Sequence, residues 1–504
     1  MAATGLTVAL YPRIAVSQDG KILRVRSYSD IQNLDPAFRK GAPEDDIMRN
    51  IFVGLAGMKA GDEWAWELDA ASRLEQVDDT HIEFTLIDGL VWTDGFGPVT
   101  ADDVKFSFER MIDPALESPY AGDWAALDHV DVTDDKSGVI VLKEPFPPLW
   151  NVGLVFGSGR IVSRKAVEAA GGRFDTKPPA QCGRYVLKEW LPKQRTVLAR
   201  NPDWPGEKPE FDEIHVIPIE DEKVAELAFE AGDIDYTWVA VSSIPRYRET
   251  PPKGGEVEVK PSLAYVWLGM NNEHPPFDNP DVRRAIQHAI DVPAVLDAAY
   301  FGAAEPATGV IAPGLVGHRE AVKYSYDPDK ARELLKKAGF ENGFETTLDI
   351  LNKTERVSAA QAVQALLADV GINVTIRQHD SGTYWSLGDE KAGDAWKTIQ
   401  LHIGRFSMQP DPSFATEWFT PDQIGVWNWE RWNSPEFGEL EAKAKVELDP
   451  NKRHEMYVHM QDLMEESGSY VFLTHESVGV AHRTDIEPAV MPNGTPIFHQ
   501  FKSS

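Results

Sequence analysis

The sequence predicts a mixed α/β protein of two or three domains, and three observations lead there. The chain has 504 residues, more than one ordinary hydrophobic core accommodates. Runs with period-two alternation recur along it: in His81–Ile87, Ile82, Phe84 and Leu86 share one face, as in a half-buried strand. Capped helical stretches interleave with these runs. Pro328–Ala338 is one, with Asp327 as N-cap, Pro328 at the first helical position and Gly339 as the stop.

The elements follow in order. Ile22–Arg26 reads as a first strand, residues 31–36 as a loop and Ile47–Leu55 as a helix. Thr100-Ala-Asp-Asp103 fits a capping box opening a helix over Val104–Ile112, which ends before Pro114. Ala180–Trp190 and Glu213–Ile219 have strand character, and Glu222–Ala231 is a helix stopped by Gly232. Ser262–Asn271 alternates as a long strand, with Leu263, Tyr265 and Trp267 on one face and Ala264, Val266 and Leu268 on the other. Longer helices then set in at Val282–Ala289 and Val292–Tyr300. Thr347–Leu351, a helix around Ser358–Val370, and Ile372–Arg377 make a strand–helix–strand unit. Helices after Ser434-Pro435 and Asp449-Pro450 precede a strand at Tyr470–His475.

Composition narrows the function classes. Fifty Lys and Arg against 80 Asp and Glu give a net charge of −30, which repels phosphate backbones and anionic headgroups, so nucleic-acid binding is not expected. The lone Cys182 permits no intrachain disulfide and no Cys-based metal site, and reads as a small buried filler. No apolar run approaches the roughly 18 residues of a membrane span. Leu6–Tyr11 is a short apolar run and Ala15-Val16-Ser17 a small-x-small triplet before Gln18. Together they look like the back end of a truncated secretory signal, with a mature start near Gln18; an ordinary frayed terminus is the other reading.

Catalytic motifs are missing. There is no phosphate loop, no Gly-x-Ser-x-Gly elbow and no dinucleotide-binding glycine turn. His454 and His459 are five apart, not the four that puts two ligands on one metal. No cofactor and no metal is expected, and no enzyme is indicated. What stands out is the 15 Trp. Trp427-Asn-Trp-Glu-Arg-Trp432 and Tyr384-Trp385 are the densest groups, and aromatic planes over a cleft stack on sugars, peptide side chains or cations. On that ground Trp427 and Trp429 are candidate ligand contacts.

Several longer segments carry a resemblance. They are Asp88-Gly-Leu-Val-Trp-Thr-Asp-Gly95 with Thr100-Ala-Asp-Asp-Val-Lys-Phe-Ser-Phe108, Gly183-Arg-Tyr-Val-Leu-Lys-Glu-Trp190 with Arg200-Asn-Pro-Asp-Trp204, and Gly232-Asp-Ile-Asp235. Pro275-Pro-Phe-Asp-Asn-Pro-Asp-Val-Arg-Arg-Ala-Ile-Gln-His-Ala-Ile-Asp291, Tyr326-Asp-Pro-Asp-Lys-Ala331 and Gly371-Ile-Asn-Val374 continue the series in order. From about Lys21 onward the chain resembles the family 5 extracellular solute-binding proteins of ABC importers, whose members bind dipeptides, oligopeptides, nickel and some oligosaccharides.

The resemblance implies a type II periplasmic-binding-protein fold, with two lobes joined by two hinge crossovers and an extra subdomain on lobe I. By analogy, lobe I takes 20–50, 180–268 and 479–504, the subdomain 51–179, and lobe II 269–478, after a signal remnant or frayed segment at 1–19. The crossovers fall near Leu268–Asn272 and Glu476–Val480. It further implies a non-catalytic, periplasmic, monomeric receptor that closes over a small-molecule ligand and passes it to ABC permease subunits.

Site residues come over one by one. Lys40, Gly41 and Ala42 match a cleft-lining loop, Tyr120 an aromatic there, and Tyr384 and Trp385 a stacking aromatic position. Trp267, Asn271 and Asn272 lie on or just after the strand at the first crossover. Gly404-Arg-Phe-Ser-Met-Gln-Pro-Asp-Pro412 matches the segment in which peptide-binding relatives carry an Asp three residues before an Asp-Pro pair, to hold the ligand's α-amino group. Here Met408 stands at that position and Arg405 replaces the usual bulky aromatic, so Gly404, Arg405, Phe406, Ser407 and Met408 are candidate contacts. A thioether cannot neutralise an ammonium, and burying one unpaired costs several kcal/mol. The expected ligand is therefore an oligopeptide-, oligosaccharide- or opine-sized solute, not a simple free-amine dipeptide. A secreted carbohydrate-active enzyme and a metal or haem receptor stand as alternatives.

Overall fold

The computed structural model describes residues 20–504. The signal-peptide reading of the N-terminus lies outside the described residues.

One ten-stranded sheet organises the chain. Its strands are β1 (Ile22–Ser27), β2 (Tyr185–Leu191), β3 (Arg195–Arg200), β4 (Glu213–Pro218), β5 (Tyr236–Val239), β6 (Gly255–Met270), β7 (Phe344–Leu351), β8 (Ile372–His379), β9 (Leu401–Ser407) and β10 (Tyr470–Arg483). Their spatial order is β2-β3-β4-β1-β5-β10-β6-β9-β7-β8. The two long central strands, β6 and β10, run antiparallel through both halves of the sheet. The first part of β6 pairs with the last part of β10, from Gly255 opposite Arg483 to Pro261 opposite Ser477. Between Pro261 and Tyr265 the register shifts, leaving Ser262–Ala264 against Glu476; from Ala264 onward β6 also pairs with β9.

β6 begins seven residues before the expected Ser262. Residues 255–261 alternate Val257 and Val259 with Glu256, Glu258 and Lys260, but Pro261 argues against an uninterrupted strand because it lacks the N–H a ladder needs. The structure keeps the strand and puts the proline at the irregularity, where no regular ladder bond is lost.

Helices cover the second half of the sheet on both faces. On one lie α2 (Pro280–Ala289), α3 (Val292–Tyr300), α4 (Pro328–Lys337) and α5 (Thr354–Asp369), packed over Val266, Leu268, Leu348, Ile350, Leu401 and Ile403. On the other lie α6 (Pro435–Val446) and α7 (Pro450–Glu466), over Tyr265, Trp267, Tyr470 and Phe472. The neighbouring β6 residues therefore serve opposite cores, as the alternation predicts. In the first half, α1 (Ala42–Ile51) precedes its expected start, because Pro43, Glu44 and Asp45 supply a helix N-terminus ahead of the apolar residues. A separate four-stranded antiparallel sheet is formed by Ala71–Gln76, His81–Leu86, Leu127–Val132 and Ser137–Leu142. The helix Ala101–Glu109 packs on it, and its Asp103 accepts from Thr100 N at 3.0 Å, Trp92 Nε1 at 3.0 Å and Arg164 N at 2.8 Å. Cys182 is buried, and burial pushes its thiol pKa well up.

Candidate ligand cleft

Strand direction locates the site. In open α/β sheets the loops leaving the carboxyl ends of parallel strands form the ligand crevice, since helix N-termini and irregular backbone collect there. β1, β4 and β5 are parallel and end at Ser27, Pro218 and Val239. β7, β8 and β9 are parallel and end at Leu351, His379 and Ser407. Ser407 pairs with Ala264 and Val239 with Gly479, so both sets of ends abut the stretch where β6 and β10 pass between the halves.

On the first side, Tyr28 leaves β1 and stacks on Trp238 of β5, with centroids 6.5 Å apart and planes 22° off parallel. Gly41 immediately precedes α1, and a side chain there would begin 3.1 Å from the Tyr28 hydroxyl. Lys40 is exposed, and Ala42 is the first residue of α1. Tyr120 joins them: its hydroxyl donates to Arg39 O at 3.0 Å and its ring lies 3.6 Å beneath the Arg39 guanidinium. Asp46, one turn into α1, faces the same recess as Tyr28 and Trp238. Burial pushes its carboxyl up to about 7 against the opposing charge of Arg49.

On the second side, Phe406 is the hub of an aromatic group. Trp267, Trp418, Trp427 and Trp385 surround it at centroid distances of 5.1, 5.9, 5.9 and 6.3 Å, and Trp385 is nearly parallel to it. Phe406, Trp385, Trp418 and Trp427 are half-buried, and Ser407 is exposed. Trp267 is buried behind them, its Nε1 donating to Glu430 at 2.6 Å. Gly404 has to lack a side chain, because a Cβ would stand 2.4 Å from the Trp267 ring. Tyr384 is buried and donates to Ile403 O at 2.6 Å; Trp429 is buried against Tyr384 and His402. Met408 is buried in the core that holds Tyr265 and Trp267.

Asp411 is fully committed elsewhere. It receives both Arg453 terminal nitrogens at 2.8 Å and the Ser413 hydroxyl at 2.7 Å. Asn271 and Asn272 lie at the far end of β6, beside the amino end of β9, where they bond Ile399 O and the Ser469 hydroxyl. The structure thus gathers Lys40, Gly41, Ala42 and Tyr120 on one side and Trp385, Gly404, Arg405, Phe406, Ser407 and Trp427 on the other. The two asparagines fall outside both groups.

Glu417, next to Trp418, has its carboxyl pushed up by burial, with Lys445 opposing and the charges of Asp411 and Asp123 adding to it. Asp123 lies three residues from Tyr120, so its charge acts from the first side.

Sequence reasoning missed Tyr28, Trp238, Arg356 and Glu476. Arg356, in the first turn of α5, pairs with Glu476 of β10 and donates to the Tyr300 hydroxyl. Arg405 Nε donates to the other Glu476 oxygen at 3.0 Å. No spacing in the chain announces this group; the carboxyl ends of the strands were its one available signal.

The model of the bacterial extracellular solute-binding proteins, family 5, matches residues 66–425. The chain belongs to that family. As a family 5 protein it is a solute-binding component of the ABC-importer class, with a type II periplasmic-binding-protein fold. It is 26% identical over 502 residues to the glutathione-binding protein GsiB of Escherichia coli (strain K12), covering 96% of this chain and 94% of that protein. The periplasmic binding protein DppA from Helicobacter pylori, solved with peptide STSA, superposes with a TM-score of 0.75 at 25% identity, covering 96% and 98% of the two chains. MoaA from A. tumefaciens R10, solved with mannopinic acid, gives 0.74 at 24% identity, covering 96% and 100%. Among the described residues no helix is long and apolar enough to cross a membrane, and no group of three or more His, Cys, Asp or Glu is placed to hold a metal ion.

Proposed function

We propose that this protein is a non-catalytic periplasmic receptor, acting as a monomer, that encloses a small solute between the two aromatic-lined sides of the cleft and delivers it to an ABC permease. A hinge at residues 261–265 of β6 and 475–477 of β10 is supported by the register shift there, the first of two along this pair of strands. Lobe I is then 20–50, 180–262 and 477–504 with the subdomain 51–179, and lobe II is about 265–476. The first crossover moves toward the N-terminus from Leu268–Asn272, because those residues already sit deep in the second half of the sheet. Closure follows from the ligand's greater affinity for the closed state.

The ligand is of oligopeptide, oligosaccharide or opine size, and not a simple free-amine dipeptide. Relatives named above hold glutathione, the peptide STSA and mannopinic acid. The observation that carries the reading is the pair Met408 and Asp411. The first is a buried thioether where an amine anchor would stand, and the second has both oxygens engaged by Arg453. Calorimetric titration with unmodified dipeptides, their N-acetylated forms, opines and short oligosaccharides tests it. Dipeptides are expected to bind weakest; tight dipeptide binding that Met408→Ala leaves unchanged refutes the ligand reading. A chromogenic glycoside panel is expected to show no turnover.

A further inference from the structure

Resting on the receptor reading, we propose that the ligand carries a carboxylate or comparable oxyanion that docks on the outer nitrogens of Arg405, with Glu476 positioning that guanidinium at the crossover. Four observations support it. Arg405 spends only Nε on Glu476; among the described residues its two terminal nitrogens meet no protein acceptor, and its side chain is 41% exposed. A guanidinium held at Nε presents that outer edge as a ready fork for two oxygens.

Two guanidiniums converge on one carboxylate. Arg356 and Arg405 share one carboxylate at ion-pair distance, Glu476, in a chain whose net charge is −30. Burial disfavours the charged form of Glu476, yet Arg356 and then Arg405 hold its carboxyl below the usual range, so it stays anionic and in place. Glu355 acts on Arg356 more weakly than Glu476 does. An anionic ligand approaching so acidic a protein needs local positive potential where it docks.

The position is right for a ligand. Arg405 lies two residues from the carboxyl end of β9, where the crevice of such a sheet opens, and its side chain is on the Val266 face, opposite the Phe406 hub, so an acid at Arg405 leaves the rest of the molecule at the strand ends between the two. It is also tied to the hinge, because Glu476 stands opposite Ser262–Ala264 where β6 shifts register. Arg356 and the Tyr300 hydroxyl fix Glu476 from the α5 and α3 side. A ligand acid pulling on Arg405 therefore pulls on a group seated on the crossover strand.

The test uses matched pairs differing only in their carboxyl groups: N-acetyl-dialanine and its amide, glutathione and its dimethyl ester, galacturonic acid and galactose. Binding is read by calorimetry and by the melting shift of the full chain, beside native mass spectrometry of any molecule carried through purification. In at least one pair the acid is expected to bind ten-fold or more tightly than its neutral partner, with affinity falling as salt rises. Arg405→Gln is expected to erase that preference and Arg405→Lys to keep part of it. Glu476→Gln should weaken the acid more than the neutral partner, which a purely structural role would not do. Neutral partners binding as well as acids, an undiminished preference in Arg405→Gln, or a retained molecule without an acidic group overturns the proposal while leaving the receptor reading intact. A protein that binds and retains nothing in either experiment overturns both.

Discussion

Asp411 and Arg453 form a buried bidentate ion pair, with both nitrogen–oxygen distances at 2.8 Å and neither side chain more than 5% exposed. Arg453 also donates through Nε to Ala444 O at 2.8 Å, so the pair joins the Pro410–Pro412 turn to α6 and α7. Removing one partner strands the other charge without water. Asp411→Asn is expected to cost about 3–5 kcal/mol in denaturant unfolding. Its folded fraction should still bind ligand, because Asp411 holds the turn and not the solute.

Glu430 makes a second prediction. One of its oxygens accepts from both Trp267 Nε1 at 2.6 Å and His402 Nε2 at 2.8 Å, in a fully buried setting. Glu430→Leu leaves the indole N–H without an acceptor, at about 1–3 kcal/mol for each orphaned group. Glu430→Gln keeps a carbonyl acceptor and should cost less. Tryptophan fluorescence and near-ultraviolet dichroism report whether Trp267 stays in place behind Phe406.

Gly404→Ala tests the same wall from the other side. The added methyl stands 2.4 Å from the Trp267 ring, which the Glu430 bond prevents from retreating. Overpacking of this kind costs about 1–3 kcal/mol. The variant is expected to melt lower and to bind any aromatic-stacked ligand more weakly.

Glu441 supplies a pH dependence. Burial pushes its carboxyl up to about 7, against the charge of Lys445 and the hydrogen bond from Thr416. The unfolded chain releases that proton near pH 4.3, whereas the native state holds it until about 7. Between those values the native state binds more protons, so this group's contribution to stability is present at low pH and is lost as pH rises. Glu441→Gln removes the effect. Relative to the parent it should gain up to about 1.4 kcal/mol per pH unit across that window, read by urea unfolding at stepped pH.

Cys182 offers a simple probe of integrity. It is 1% exposed and its thiol is held protonated by burial. A thiol reagent at neutral pH is expected to label it only when denaturant opens the core it shares with Ile51 and Val53.

Local chemistry made much of the fold legible. The helix Val292–Tyr300 begins where Asp291 caps it, with the side chain accepting from Ala294 N, and Asp327 does the same for Lys330 N at the start of α4. Glu222–Ala231 stops at Gly232, whose φ of 85° suits glycine. The alternation in β6 announced two cores, and the structure has them on opposite faces. Boundaries were less legible where two local rules disagreed. Pro261 hid the first seven residues of β6, because a proline in a strand is tolerated only where the register breaks, and the break depends on β10, more than two hundred residues away.

The sequence by itself determined the element types and the family, both of which are written in near-neighbour patterns and motif order. Tertiary structure alone decided that Arg356, Arg405 and Glu476 are one group, that Asp411 belongs to Arg453, and that Asn271 bonds Ile399 O beside the amino end of β9. Period and capping specify what a segment does with its own backbone. Which distant carboxylate a guanidinium meets depends on strand order and register, and those are set by the packing of the whole sheet.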